Sequence, residues 1–428
     1  MKKNMQLKQY IYTTINHQLY EKAAFAFCLL YAFLTIISPS ISTDLKTGIL
    51  IMSLPFIAIN FKSFKKLTIY KLFLFSIAIQ IISWIHSWYV IPDYYKSTPD
   101  IKRLTDLFLF ICISLWIKGK DKRISLMLFL TVTGFILQAL YHNFVHNDFL
   151  KGIQGHRVDF GMHNAQFTGM LAAVSIFICS YLSTNIWKKP SRYTLIYQGV
   201  LCIYLILSTF ILIISQTRQV WLGVIIVLLI LPLIITKIYQ LNKKSVALLY
   251  LIFMICIGFF SQSSIVKNRV MKENQVITNI AEGKLHNIPM TSAGIRVNSW
   301  LLASHWIKEN PIIGASTKAI PLVLRTSEEF NTSSLKKFGH LHNYYIETLV
   351  AYGILGFGFL IIYYYSISKS IINNGDKKAI ILFISFLIFW IFINNFESYN
   401  SKTLGIFIYT IIISCLYSKF ITKKLSQE

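Results

Sequence analysis

The chain has 428 residues, 55% of them hydrophobic and 14% charged, with a mean hydropathy of +0.56. Apolar runs of about 20 residues, the length an α-helix needs to cross the hydrocarbon core, recur along it and exclude a soluble fold. A net charge of +25 would suit nucleic acid if it lay on one face, but the lysines fall in alternate loops and report membrane orientation instead.

In chain order, apolar runs near 23–40, 46–61, 67–90, 104–117, 124–141, 165–184, 194–214, 219–236, 245–261, 343–366, 379–395 and 403–418 predict about twelve spans. The runs at 46–61 and 104–117 are short. Basic residues occupy every second connection: Lys62, Lys65 and Lys66; Lys118, Lys120, Lys122 and Arg123; Lys188, Lys189 and Arg192; Lys237, Lys243 and Lys244; Lys377 and Lys378. With Lys2, Lys3, Lys8, Lys423 and Lys424 at the ends, both termini are expected to be cytoplasmic. The basic N-terminal region precedes a run with no small-residue cleavage site, so the first span is read as uncleaved. All six cysteines fall inside predicted spans, which argues against a disulfide framework.

The expected fold is thus an all-α polytopic membrane protein. Nine helices with short loops occupy 1–261, a large outer loop containing short helices occupies 262–341, and three helices occupy 342–428.

The large loop ends in His340-Leu341-His342-Asn343. Histidine titrates near neutral pH, so one held at a membrane surface is a candidate general base. His340 and His342 are rivals, because residues two apart in an extended loop point the same way. After Asn343 come nine residues and then Gly353-Ile354-Leu355-Gly356, a small-residue pair expected to let a neighbouring helix approach closely and hold His342 firmly. Glu347 lies inside the same span, where an ionisable group is expensive. Displaced from His342 around the helix, it is expected to hold Asn343 or an arginine of another segment, or to be a buried structural partner.

Of the eight arginines only Arg123 and Arg192 fall on the expected cytoplasmic side. Arginine grips phosphate oxygens through a planar fork, so this bias points to a phosphate-bearing ligand. Arg218 sits in the short turn Ser215-Gln216-Thr217-Arg218-Gln219, as an interfacial anchor or a ligand group. Arg296 follows Thr291-Ser292-Ala293-Gly294, where Ser292 is a candidate cap for a helix ending at Asn310-Pro311. Arg157 lies in a glycine-flanked loop with Asp159, either paired to it or free to bind, and Arg103 is the weakest candidate.

The pattern of His342-Asn343 with Gly353 and Gly356, the Thr217-Arg218 turn and the Ser292-Ala293-Gly294-Ile295-Arg296 helix start together resemble the bacterial O-antigen ligases. The wider superfamily includes O-antigen polymerases and O-linked oligosaccharyltransferases. The resemblance is densest from Thr217 to Gly356. It implies a GT-C-like enzyme of the bacterial inner membrane that moves O-antigen from undecaprenyl pyrophosphate to a sugar hydroxyl of lipid A-core at the periplasmic face. It further implies His342 as base, Arg218 and Arg296 on the pyrophosphate, and no cofactor or metal; Arg157, from its own loop, is a further candidate for the pyrophosphate. No carboxylate or His/Cys cluster with ligand spacing is visible in the outer loops either. A rival in another class is a lipid-linked sugar transporter, although no internal repeat between the halves supports it.

Overall fold

In a computed structural model the described residues are 18–184, 192–262, 271, 274–328, 330 and 339–427, and among them the secondary structure is helical with no strand. The principal helices are α1 (Gln18–Ile37), α2 (Pro39–Ile59), α3 (Thr68–Val90), α4 (Leu109–Ile117), α5 (Asp121–His146), α6 (Ala165–Thr184), α7 (Arg192–Ile214) and α8 (Arg218–Tyr239). They are followed by α9 (Lys243–Gln262), α10 (Ser292–Glu309), α11 (Ser316–Arg325), α12 (Tyr344–Asn374), α13 (Lys377–Ile393) and α14 (Thr403–Ser426). Nine of these, α1 to α3, α5 to α8, α12 and α14, are long and apolar enough to cross a membrane by length and composition. The chain is a multi-pass membrane protein.

The other expected spans have less regular forms. Residues 104–117 do not make one helix: Lys102–Thr105 and a 3-10 turn, Asp106–Phe108, precede the short α4. Helix α13 has 17 residues, whereas α9 runs over the whole of the expected 245–261 span. Lys2, Lys3, Lys8, Lys188 and Lys189, on which part of the orientation argument rests, lie outside the described residues.

Helix α12 departs most from expectation. Gly353 takes φ +58° and ψ −157° inside it, a region open essentially to glycine alone, so the helix breaks there. A break in an apolar setting is tolerated only when the freed peptide groups find partners. Here Ile354 N–H donates to Pro311 O at 2.8 Å, and Ala315 N–H donates to Val350 O at 2.9 Å. Ser83 Oγ of α3 donates to Ala351 O at 2.5 Å and accepts from Ser316 N at 3.0 Å. Ser83 belongs to a buried polar stripe, Ser76, Gln80, Ser83 and Ser87, spaced so that one face of α3 meets the break.

The expected small-residue patch is therefore corrected. Gly353 is a hinge in the backbone, and it is the 311–315 loop, not a neighbouring helix, that approaches. A Cβ on Gly353 would lie 2.3 Å from the Ile312 carbonyl, and one on Gly356 would lie 2.4 Å from Tyr352 Cβ of the same helix. Gly353→Ala is expected to lower the melting temperature of the purified protein, costing about 1–3 kcal/mol from backbone strain alone before the clash is counted. An unchanged melting curve would show the break to be dispensable.

A second buried network holds the turn between α13 and α14. Trp390 Nε1 donates to Asn400 Oδ1 at 2.8 Å, Asn400 Nδ2 donates to Tyr364 Oη at 2.9 Å, and Asn400 N–H donates to Asn394 Oδ1 at 3.2 Å. Asn394 O accepts from Tyr344 N at 2.9 Å. The start of α12 and the 394–400 turn are thus locked together, and both bear on the site.

Candidate active site

Asn343 starts α12 as its cap: its side-chain oxygen accepts from the backbone N–H groups of Tyr345 at 3.0 Å and Ile346 at 3.1 Å. His342, just before it, has φ +52°, in the left-handed region that residues with a Cβ seldom occupy. The chain on its other side is tied at both polar groups. Leu341 N–H donates to Glu347 Oε1 at 2.8 Å, and Leu341 O accepts from Trp300 Nε1 at 2.9 Å. Trp300 lies on α10, whose cap is Thr291, with Oγ1 accepting from Gly294 N at 3.2 Å, in place of the expected Ser292.

Glu347, 1% exposed, also pairs with the Arg103 guanidinium. Of the partners considered for it, the arginine of another segment is the one present, and it is the arginine ranked lowest. Removing one member of a buried pair strands the other charge, so Glu347→Ala is expected to cost about 3–5 kcal/mol. Thermal melting of the purified variant checks this; a shift within error would mean Arg103 and the His loop are held by other contacts.

From the turn between α13 and α14, Glu397 reaches both histidines. Its Oε2 lies 3.0 Å from His342 Nδ1 and its Oε1 lies 3.6 Å from His340 Nδ1, and the two imidazole centroids are 3.9 Å apart. Only the first contact is a hydrogen bond; among the described residues His340 Nδ1 has no hydrogen-bond partner. Geometry separates the two residues where spacing does not. An ionised carboxylate only accepts, so His342 Nδ1 carries a proton and Nε2 becomes the basic atom of the ring.

Burial opposes the charge on Glu397, but the hydrogen bond and charge of His342, with the charge of His340, outweigh it and hold the carboxyl down at about 2. Burial, reinforced by His342, pushes His340 down to about 4. At neutral pH the cluster is therefore an anionic Glu397 beside a neutral His340.

His340, His342 and Glu397 each place one donor atom within 4.8 Å of the others, a spacing able to hold a metal ion. This corrects the expectation that the outer loops contain no such cluster. Sequence spacing conceals it because Glu397 lies 55 residues beyond His342.

Arg296, 8% exposed, is directed at the same turn. Its Nε donates to Phe396 O at 3.0 Å, and its Nη1 donates to Ser292 O at 2.7 Å and to Ser292 Oγ at 3.2 Å. Gln166, at the start of α6, links it to Glu397: with the amide oxygen turned to Arg296 it accepts from Nη2 at 2.9 Å, and the amide nitrogen donates to Glu397 Oε2 at 2.5 Å. Tyr399 Oη donates to Gln166 O at 3.2 Å. Burial and then the Glu397 charge raise the Tyr399 pKa, while Gln219, Arg296 and Arg157 act against them.

Arg218 is the half-buried first residue of α8, adjacent to Gln219. Its turn is joined to the loop of Arg157 by Gln216 Nε2, which donates to Gly155 O at 2.8 Å. Asp159, weighed as the partner of Arg157, accepts from Gly161 N–H at 3.0 Å and so shapes that loop. His340 and His342 thus meet at Glu397, and Arg296 reaches the same turn directly and through Gln166, while Arg157 and Arg218 lie in two loops joined to each other by Gln216. Asn343 and Glu347 hold the chain behind the histidines, Gly353 breaks α12 further on, and Gly356 packs only against Tyr352 and Thr348 of its own helix.

Residues 203–361 match the family model described as Wzy_C, O-antigen ligase. Over that stretch the chain is similar to the O-antigen ligase superfamily. No curated protein matches the chain. The O-antigen ligase match spans Arg218, Arg296, His342, Gly353 and Gly356, and stops before Glu397. Members of this superfamily are glycosyltransferase-like enzymes, which supports an enzymatic role here.

Reading the sequence missed Glu397, Gln166, Gln219 and Tyr399. For Glu397 a signal was present: an acidic residue within Asn394-Asn395-Phe396-Glu397-Ser398-Tyr399-Asn400, a polar interruption between two apolar runs. The amides and the tyrosine carry no comparable mark.

Proposed function

We propose that this protein is an O-antigen ligase, transferring O-antigen from undecaprenyl pyrophosphate to a sugar hydroxyl of lipid A-core at the periplasmic face of the bacterial inner membrane. The observation that carries the reading is the Glu397–His342 hydrogen bond beside the fixed Arg296 guanidinium. The acceptor hydroxyl gives its proton to His342 Nε2 as its oxygen attacks the anomeric carbon. The bond from that carbon to the pyrophosphate oxygen breaks in the same displacement, and the configuration inverts. Glu397, already ionised, stabilises the imidazolium that forms.

The departing pyrophosphate gains charge, which fixed cations offset. Arg218 and Arg157, on two joined loops, supply such charge. Arg296 contributes a guanidinium held rigid by Phe396 and Ser292, so it acts more through its fixed position than through a freely directed fork.

The test is the lipopolysaccharide of a strain lacking the gene. Loss of a ligase leaves bare core while long lipid-linked polymer accumulates. Core capped by a single repeat would instead identify a polymerase of the same superfamily. Transfer by the purified protein from lipid-linked donor to acceptor, without an energy source, separates an enzyme from a transporter.

A further inference from the structure

At the end of the bundle opposite the histidines, two cavities join. The first, of about 1000 Å³, is an apolar shaft among α6, α7, α8 and α13, walled by side chains such as Phe177, Leu212, Trp221, Leu228 and Ile381. The second, of about 800 Å³, is a polar mouth lined by Lys122, Lys377 and Lys378 together with Asp121 and Asp376. Tyr181, Tyr239 and Lys378 line both, so the shaft opens directly onto the lysines.

The charges at the mouth are unequally matched. A single lysine of α14, Lys419, pairs with Asp121 at 2.8 Å and with Asp376 at 2.9 Å, and Lys419 does not line the mouth. Both lining acids are thus paired with Lys419, and among the described residues three lysines line the mouth against those two acids. Lys377 Nζ is placed 5.3 Å from the Tyr239 ring centroid, and Lys378 Nζ donates to Thr184 O, which closes the end of α6. Both ammonium groups are thereby held over the opening of the shaft.

A free phosphate would use the lysines and leave the shaft empty; a neutral lipid would fill the shaft and bring no charge to Lys122 and Lys377. We propose that this is a binding site for an anionic phospholipid, its phosphodiester against Lys122 and Lys377 and an acyl chain in the shaft. Basic pockets between membrane helices recognise such head groups through charge, at roughly 1 kcal/mol per lysine. In the orientation expected from the lysine pattern, the lipid comes from the cytoplasmic leaflet.

The full-length protein is reconstituted in nanodiscs of phosphatidylcholine containing phosphatidylglycerol, released, and weighed intact with its retained lipid. Phosphatidylglycerol is expected to be kept in preference to phosphatidylcholine, less so at high salt. The double variant Lys122→Gln/Lys377→Gln is expected to hold it about 30-fold more weakly, with Lys122→Arg/Lys377→Arg unaffected. Leu228→Trp, which fills the shaft and leaves the lysines, is expected to lose it too. Equal retention of the two lipids by the parent protein, retention unchanged in the glutamine variant, or displacement of phosphatidylglycerol by an equimolar polyprenyl phosphate would each overturn the proposal. The salt-sensitive preference of the parent protein decides the matter if a variant does not fold.

Discussion

His342→Gln is expected to lower polysaccharide transfer by about 10²- to 10⁴-fold, the usual contribution of a positioned general base. The variant remains in the membrane and the cell surface shows bare core. The control is His340→Gln, in the same cluster and two residues away. Burial and His342 push the His340 pKa down to about 4, so it is neutral where the enzyme works, and its replacement removes no charge. The depressed value fixes the sign of its linkage to stability. The contribution is fully present above the ordinary histidine value of about 6.5 and is lost as pH falls through about 4. Between those limits and above, His340→Gln leaves the pH profile of transfer in place, with only a small fall in rate. Chelation adds an independent check, because the two histidines and Glu397 have metal-ligand spacing. Activity that survives prolonged EDTA treatment fits His342 as a base; activity lost to EDTA and restored by zinc or manganese would make it a ligand.

The contrast between His342 and Glu397 shows how far the sequence is legible. Span positions are visible because hydrophobicity is a property of contiguous residues, and α3, α5 to α8 and α14 fall where the apolar runs lie. The helix from Ser292 to Glu309 is equally local, since its start and stop are written in neighbouring residues. His342 and Asn343 stand out because they interrupt the entry to a span. What is not local stays hidden. Glu397 reaches His342 only because the Trp390, Asn394 and Asn400 contacts fold the 394–400 turn against the start of α12. Gly353 is misread for a related reason. Two glycines three residues apart look the same whether they admit a neighbouring helix or break their own, and only the peptide groups of 311–315 decide between these.

The second large effect is expected from Glu397→Gln. Its carboxylate fixes the proton of His342 on Nδ1 and leaves Nε2 basic; a glutamine amide turned to Nδ1 can donate instead, which favours the tautomer protonated on Nε2. The wrong tautomer cannot accept the proton of the acceptor hydroxyl, and the loss of an accompanying carboxylate charge also removes the partner of the imidazolium. A fall of about 10²- to 10⁴-fold follows. The same loss could come from a collapsed turn, so the readout has to distinguish them. Glu397→Asp keeps an acceptor and a charge and should recover part of the rate, and membrane abundance should be normal in both variants. The double variant His342→Gln/Glu397→Gln is the decisive measurement. Two residues acting as one unit do not add, so removing Glu397 after His342 is already gone should cost little more. A double variant slowed by the product of the two single factors would mean that Glu397 acts through Arg296 and Gln166, on the pyrophosphate side of the site, and not through the base.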